Sequence, residues 1–263
     1  MSSLSNAVTD SATMLRRNLR HMQRYPSLTL MLIGMPIVFL LLFVYVLGGT
    51  MGAGLGGVTG GRAQYLAYVV PGILAIAVAA VAQGTAISVA MDMTEGIIDR
   101  FRTMAISRAA VLTGHVVGAL IQTMGCVVIV LAVAVAIGFR PTAGPLEWLA
   151  ASGMLALIAL ALTWLTVALG LKAKSVETAS NSPMPLLLLP FFGSGFVPSA
   201  TMPAGLRWFA AHQPFTPMIE TVRGLLMGSR IGNSAVIAIG WCALIGGYGY
   251  LRSRNAYDHR AVR

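Results

Sequence analysis

The chain has 263 residues, 57% of them hydrophobic and only 10% charged, with a formal net charge of +10. A soluble domain carries roughly a quarter charged residues, so an ordinary soluble enzyme or binding module is excluded. The arginines gather at the ends of apolar runs, not on a polar face interleaved with aromatics, which argues against nucleic acid as a partner.

Six apolar runs reach about 18 residues or more, enough for a ~30 Å hydrocarbon core. The expected fold is therefore all-α, with six transmembrane helices in one domain over residues 27–251. An N-terminal segment, 1–26, precedes them and a basic tail, 252–263, follows. In the first segment Val8, Ala12, Leu15, Leu19 and Met22 recur at helical spacing, with Arg16, Arg17, Arg20 and Arg24 on the other faces. Such a helix suits an anionic membrane surface, and the same stripe would also pack on another protein.

The first span covers about 27–47 and contains Pro36. The eight glycines of 48–61 predict a flexible outer loop. Gly52-Ala53-Gly54-Leu55-Gly56-Gly57 fits a dinucleotide fingerprint in letters only, with no βαβ context, and no P-loop occurs anywhere. No cofactor is therefore expected on this chain. In the second span, about 66–91, Ala82, Ala86 and Ala90 follow the small-xxx-small spacing of closely packed membrane helices.

A charged connector, 92–114, comes next. Asp92, Glu95 and Asp99 share one helical face, while Ile97, Ile98, Phe101 and Met104 supply an apolar side. It reads as a docking helix for a soluble partner that provides energy; a solvated loop fits the same composition. The third span runs over about 112–138 and the fourth over about 146–171, joined by an outer turn around Pro141 and Pro145. Lys172, Lys174 and Glu177 then form an inner turn, a candidate second contact for the partner.

The fifth span, about 177–197, is interrupted by Pro183, Pro185 and Pro190, and Phe191-Phe192 leads into Gly193-Ser194-Gly195. Prolines free carbonyls that lipid cannot satisfy, so this helix should be kinked and either protein-covered or cavity-lining. It is a candidate moving part beside a substrate path, or simply a structural kink. Two outer pieces, about 204–211 and 215–227, are too short to cross and are expected to dip into the outer leaflet. Glu220 and Arg223 stand three apart on the second piece and are expected to pair; at membrane depth they are also functional candidates. The last span is about 234–251.

With both ends inside, thirteen of the Lys and Arg residues fall on inner segments and five on outer ones, which orients both termini to the cytosol. Cys126 and Cys242 lie within spans and read as apolar packers. His21, His115, His212 and His259 show no metal-ligand spacing. Apart from Glu147 and Glu177 at boundaries, no predicted span holds Asp, Glu, Lys or Arg. An ion-coupled carrier usually needs such groups despite a cost of roughly 3 kcal/mol each, so any energy must come from a partner.

Glu95-Gly96, Asp99-Arg100-Phe101 and Ser107-Arg108 resemble the cytosolic signature of type-2 ABC exporter permeases, most nearly the daunorubicin-resistance subgroup. Ala105 stands where many members have proline. Pro214-Phe215-Thr216-Pro217 through Glu220, Arg223, Gly224 and Leu225 is similar to the same family, with Gln213 where many have asparagine. The resemblance implies a non-catalytic permease subunit in a bacterial plasma membrane, paired with a second permease. Two ATP-binding subunits, carrying the ATP and Mg, would grip Asp92, Glu95, Gly96, Asp99, Arg100, Phe101 and Arg102. Pro183, Pro190, Phe191, Phe192, Glu220 and Arg223 would then lie near the path of an amphipathic drug or lipid; relatives also export polysaccharides. Gly193-Ser194-Gly195 is also similar to the nucleophile turn of rhomboid-type intramembrane serine proteases, whose chemistry needs a histidine base on the serine. A passive channel would need a polar pore stripe, which the sequence lacks.

Overall fold

The computed structural model describes residues 26–56, 61–94 and 108–259, and every regular element among them is helical. The N-terminal segment and most of the connector lie outside the described residues. Helix α1 is Pro26–Leu41; it passes through a π-helical stretch, Leu42–Leu47, into α2, Gly48–Gly56. Leu30–Gly52 is thereby one continuous span, and the glycine-rich stretch expected to be a loop is helical as far as Gly56. Lipid offers no hydrogen-bond partners, so the helical ladder persists through glycine. Glycine also permits contact here, since a Cβ on Gly52 would lie 2.6 Å from the Gly61 carbonyl oxygen.

Helix α3, Arg62–Thr94, is the axis of the molecule and almost wholly buried. It packs against α1, against α4, Arg108–Ala136, and against α5, Pro145–Lys172. The alanine stripe is where α5 approaches. A Cβ on Gly170 would sit 2.6 Å from the Ala86 carbonyl oxygen, and Ala82, Ala86 and Ala90 are all buried. The tight packing predicted for that spacing is what forms. Helix α5 starts on Pro145, with the Glu147 carboxylate accepting from the Gly144 N–H.

The predicted fifth span is not one helix. It consists of α6, Val176–Asn181, then α7, Met184–Leu188, and a 3₁₀ turn, Leu189–Phe192. Pro183 and Pro185 end one piece and start the next. Five helices, not six, are long and apolar enough to cross a membrane among the described residues. The broken run nevertheless tracks α3 antiparallel. Gln83 donates to the Ser180 carbonyl (2.7 Å), a Cβ on Gly72 would meet the Gly195 carbonyl at 2.6 Å, and the Tyr65 hydroxyl donates to the Phe196 carbonyl (3.3 Å). From Gln83 to Tyr65 α3 rises roughly 27 Å at ~1.5 Å per residue.

Two short helices follow, α8 at Ala204–His212 and α9 at Phe215–Met227, before α10 at Ser234–His259. Helix α9 does more than dip: Phe215, Met218, Ile219, Val222 and Leu226 are buried, and it packs on α3, α5 and α10.

Candidate functional site

Two polar places stand out in this apolar bundle, one at each end of α3. At the connector end, Asp92 in the last turn of α3 meets His115 in α4, with Oδ2 3.2 Å from Nε2 and both side chains buried. The pair ties together the two helices that flank residues 95–107. Asp92 therefore turns inward, and the spacing that placed it on a partner-facing stripe with Glu95 and Asp99 does not describe its side chain. Glu95, Gly96, Asp99, Arg100, Phe101 and Arg102 lie outside the described residues. His115 went unrecognised because its partner sits across the connector, where helical spacing carries no information. Its Nδ1 is buried without a hydrogen-bond partner.

Lys172, Lys174 and Glu177 are exposed around the α5–α6 turn. Gly170 against Ala86 and Val89 of α3 sets that turn at the connector end. Ser175 caps α6 by accepting from the Thr178 N–H at 3.2 Å. A hydrogen bond with Ser175, and a second from its own backbone, hold the Glu177 carboxyl below the usual carboxylate range. It is therefore negative at neutral pH.

The second place is in the far half, where α3, the broken run and α9 meet. The Arg223 guanidinium lies 3.8 Å over the Tyr68 ring. Its Nη2 donates to the Ser194 carbonyl at 2.6 Å and its Nε to the Tyr68 carbonyl at 3.2 Å. The Tyr68 hydroxyl donates to the same Ser194 carbonyl at 2.8 Å. One backbone oxygen of an irregular turn thus takes two donors, the kind of satisfaction a non-helical stretch needs away from water. Glu220 instead accepts from the Ser234 hydroxyl at 3.1 Å. The Glu220–Arg223 pair expected from their spacing does not form: the arginine is drawn to carbonyls on neighbouring elements.

Gln213 braces the turn from below. Its Oε1 accepts from the Phe215 N–H (3.2 Å) and its Nε2 donates to Thr216 Oγ1 (3.0 Å), which accepts from the Ser194 N–H (3.3 Å). A Cβ on Gly193 would stand 2.1 Å from Gln213 Nε2, so any larger residue there would have to displace the Gln213 amide from its hydrogen bonds. Phe191 stacks on Phe196 at 4.7 Å and meets Phe39 edge-on at 5.6 Å, while Phe192 faces Phe209. Pro183 and Pro190 are buried. The structure therefore gathers Pro190, Phe191 and Arg223 around one turn and leaves Phe192 and Glu220 at its edges.

A family model for the ABC-2 type transporter matches residues 10–227. The chain belongs to the ABC-2 type transporter family. The daunorubicin resistance ABC transporter permease protein of Streptomyces coeruleorubidus is 27% identical over 226 residues, which is 86% of this chain and 77% of that protein. A protein named as a probable doxorubicin resistance ABC transporter permease, from Mycobacterium tuberculosis, is 25% identical over 220 residues, 80% of this chain and 74% of its own.

In this ABC-2 permease the far-half turn shows no nucleophile arrangement among the described residues. Ser194 Oγ is buried without a hydrogen-bond partner, and His212 Nδ1 is instead 2.7 Å from the Trp208 carbonyl. No base stands on the serine among the described residues, so the protease reading has no geometric support. Cys126 and Cys242 are buried free thiols. The chain is a multi-pass membrane protein, a permease component of an ABC transporter.

Proposed function

We propose that this chain is the non-catalytic membrane subunit of an ATP-driven bacterial exporter in the plasma membrane. A second permease copy and two ATP-binding subunits complete the transporter. Family membership over residues 10–227 carries this reading. The connector end is cytosolic, which agrees with the charge count of thirteen inner against five outer cations. The 1–26 segment lies on that surface as an amphipathic helix. The run from Ser180 to Phe196 serves as the sixth crossing, since its ~27 Å course along α3 is close to a ~30 Å hydrocarbon core.

Residues 95–107, with Lys174 and Glu177 beside them, receive the ATP-binding subunit. Closure of that subunit pushes on the Asp92–His115 tie, and α3 passes the motion to the Ser194 turn. The passenger is an amphipathic drug-like or lipid-like molecule, in keeping with the relatives' names. The ionisable groups of the bundle support an external source of force. Asp92 is tied to His115, Arg223 to carbonyls and Glu220 to Ser234. Between Asp92 and Tyr68 α3 carries no acid or histidine, so no proton relay joins the two ends along it.

Doxorubicin accumulation in inside-out vesicles, from cells co-expressing the chain and its cognate ATP-binding subunit, tests this. ATP-dependent accumulation is expected; accumulation indifferent to ATP overturns the reading.

A further inference from the structure

Helices α5 and α10 run side by side in the same direction, and small residues set their approach. A Cβ on Gly246 would stand 3.4 Å from Ala161 Cα, and one on Gly249 2.5 Å from the Leu165 nitrogen. Beside that seam lies a groove of about 350 Å³ lined by Leu157, Leu160, Trp164, Ile239, Ala243 and Tyr250. It opens on the outside of the bundle, where Ile239 is 51% and Tyr250 46% exposed. From Ile239 to Tyr250 it runs roughly 16 Å at ~1.5 Å per residue, about one leaflet's share of the hydrocarbon core. Trp164 and Tyr250 meet edge-to-face at 5.1 Å across its connector end.

Both walls then continue into cations. On α10, Ile239, Ala243, Gly246 and Tyr250 recur three or four apart, and the next position on that stripe is Arg254. On α5, Trp164, Ala168 and Lys172 follow at fours. The register set by Gly246 on Ala161 and Gly249 on Leu165 brings Arg254 within a turn of Lys172 in depth. Both side chains are exposed, and neither has a hydrogen-bond or ion-pair partner among the described residues. Arg252, in contrast, is engaged by the Tyr248 ring and hydroxyl.

We propose that the groove holds an acyl chain of an anionic phospholipid from the connector-side leaflet, its phosphate between Lys172 and Arg254. An apolar slot of leaflet depth, ended by two unpartnered cations, matches an amphiphile with a negative head. A zwitterionic head carries its own cation beside its phosphate and so matches the pair less well than a head of net negative charge. A second copy of this chain, packed here about a twofold axis, would set the same cations against themselves. Lys172 then faces lipid and not the ATP-binding subunit.

The test uses the full chain in vesicles, with Trp148, Trp208 and Trp241 replaced by Phe so that Trp164 alone fluoresces. Phosphatidylglycerol or phosphatidylcholine brominated in the acyl chain is added at equal mole fraction as quencher. Phosphatidylglycerol should quench with a higher apparent affinity, roughly fivefold for each cation. Lys172→Gln with Arg254→Gln should make the two lipids equal. A Cβ on Gly247 meets nothing within 4 Å, so Gly247→Leu should fill the groove and weaken quenching by both lipids without disturbing the seam. Equal quenching of the unsubstituted pair of cations, or a preference that survives the double substitution, overturns the proposal. So does a Trp164 that neither lipid reaches, because the groove is then covered by protein.

Discussion

Arg223 and Tyr68 share the Ser194 carbonyl unequally. Tyr68→Phe removes one side-chain hydrogen bond, worth about 0.6 kcal/mol on average inside membrane proteins. Arg223→Met removes two charged hydrogen bonds and a guanidinium on an aromatic face, so a loss of roughly 2–4 kcal/mol is expected. Thermal unfolding in detergent, followed by labelling of the buried thiols Cys126 and Cys242, should rank Arg223→Met well below Tyr68→Phe. Equal losses would mean that the arginine bonds contribute little. At the connector end, Asp92→Leu strands the buried His115 ring and should cost about 3 kcal/mol, while His115→Leu removes one contact of Asp92 and should cost less. The double change should cost less than the two singles added, by the same assay. Simple additivity would show that the 3.2 Å contact carries no coupling. Neither cluster was legible from spacing. An i, i+3 relation says which side chains share a helix face; it does not say which carbonyl on another element lies opposite, so Arg223 was matched to Glu220 and His115 to nothing.

Elements were more legible than contacts. The length of the apolar runs located five spans, and three prolines marked the predicted fifth run as kinked. What composition could not show was that the glycines of 48–56 stay helical, because a loop and a membrane helix use glycine for opposite reasons: freedom in one, close approach in the other. Nor could shortness alone tell a helix dipping into lipid from α9, which is buried between three others. The meeting of α3 with the broken run depends on Gly72, whose Cβ would fall 2.6 Å from the Gly195 carbonyl. Gly72→Leu should therefore cost roughly 1–3 kcal/mol by overpacking. It should also impair ATP-driven doxorubicin accumulation more than insertion, read as vesicle uptake against membrane-fraction abundance. Uptake unaffected by this change would remove the broken run from the moving parts.

For the whole molecule, the family was legible because its motifs are local strings, whereas the assembly is not written in any one string. The reading that unites both ends of α3 is that force enters through the charged connector. Glu95→Arg with Asp99→Arg should leave the chain in the membrane and the ATP-binding subunit active, yet abolish coupled uptake. Transport at the unsubstituted rate would place docking elsewhere.

The most direct measurement is doxorubicin flux into proteoliposomes holding the purified chain, first alone under an imposed pH or sodium gradient and then with the ATP-binding subunit and Mg-ATP. A borrowed engine predicts no gradient-driven flux from the chain alone and uptake that begins with ATP once the partner is present. Uptake by the chain alone down an ion gradient would contradict it.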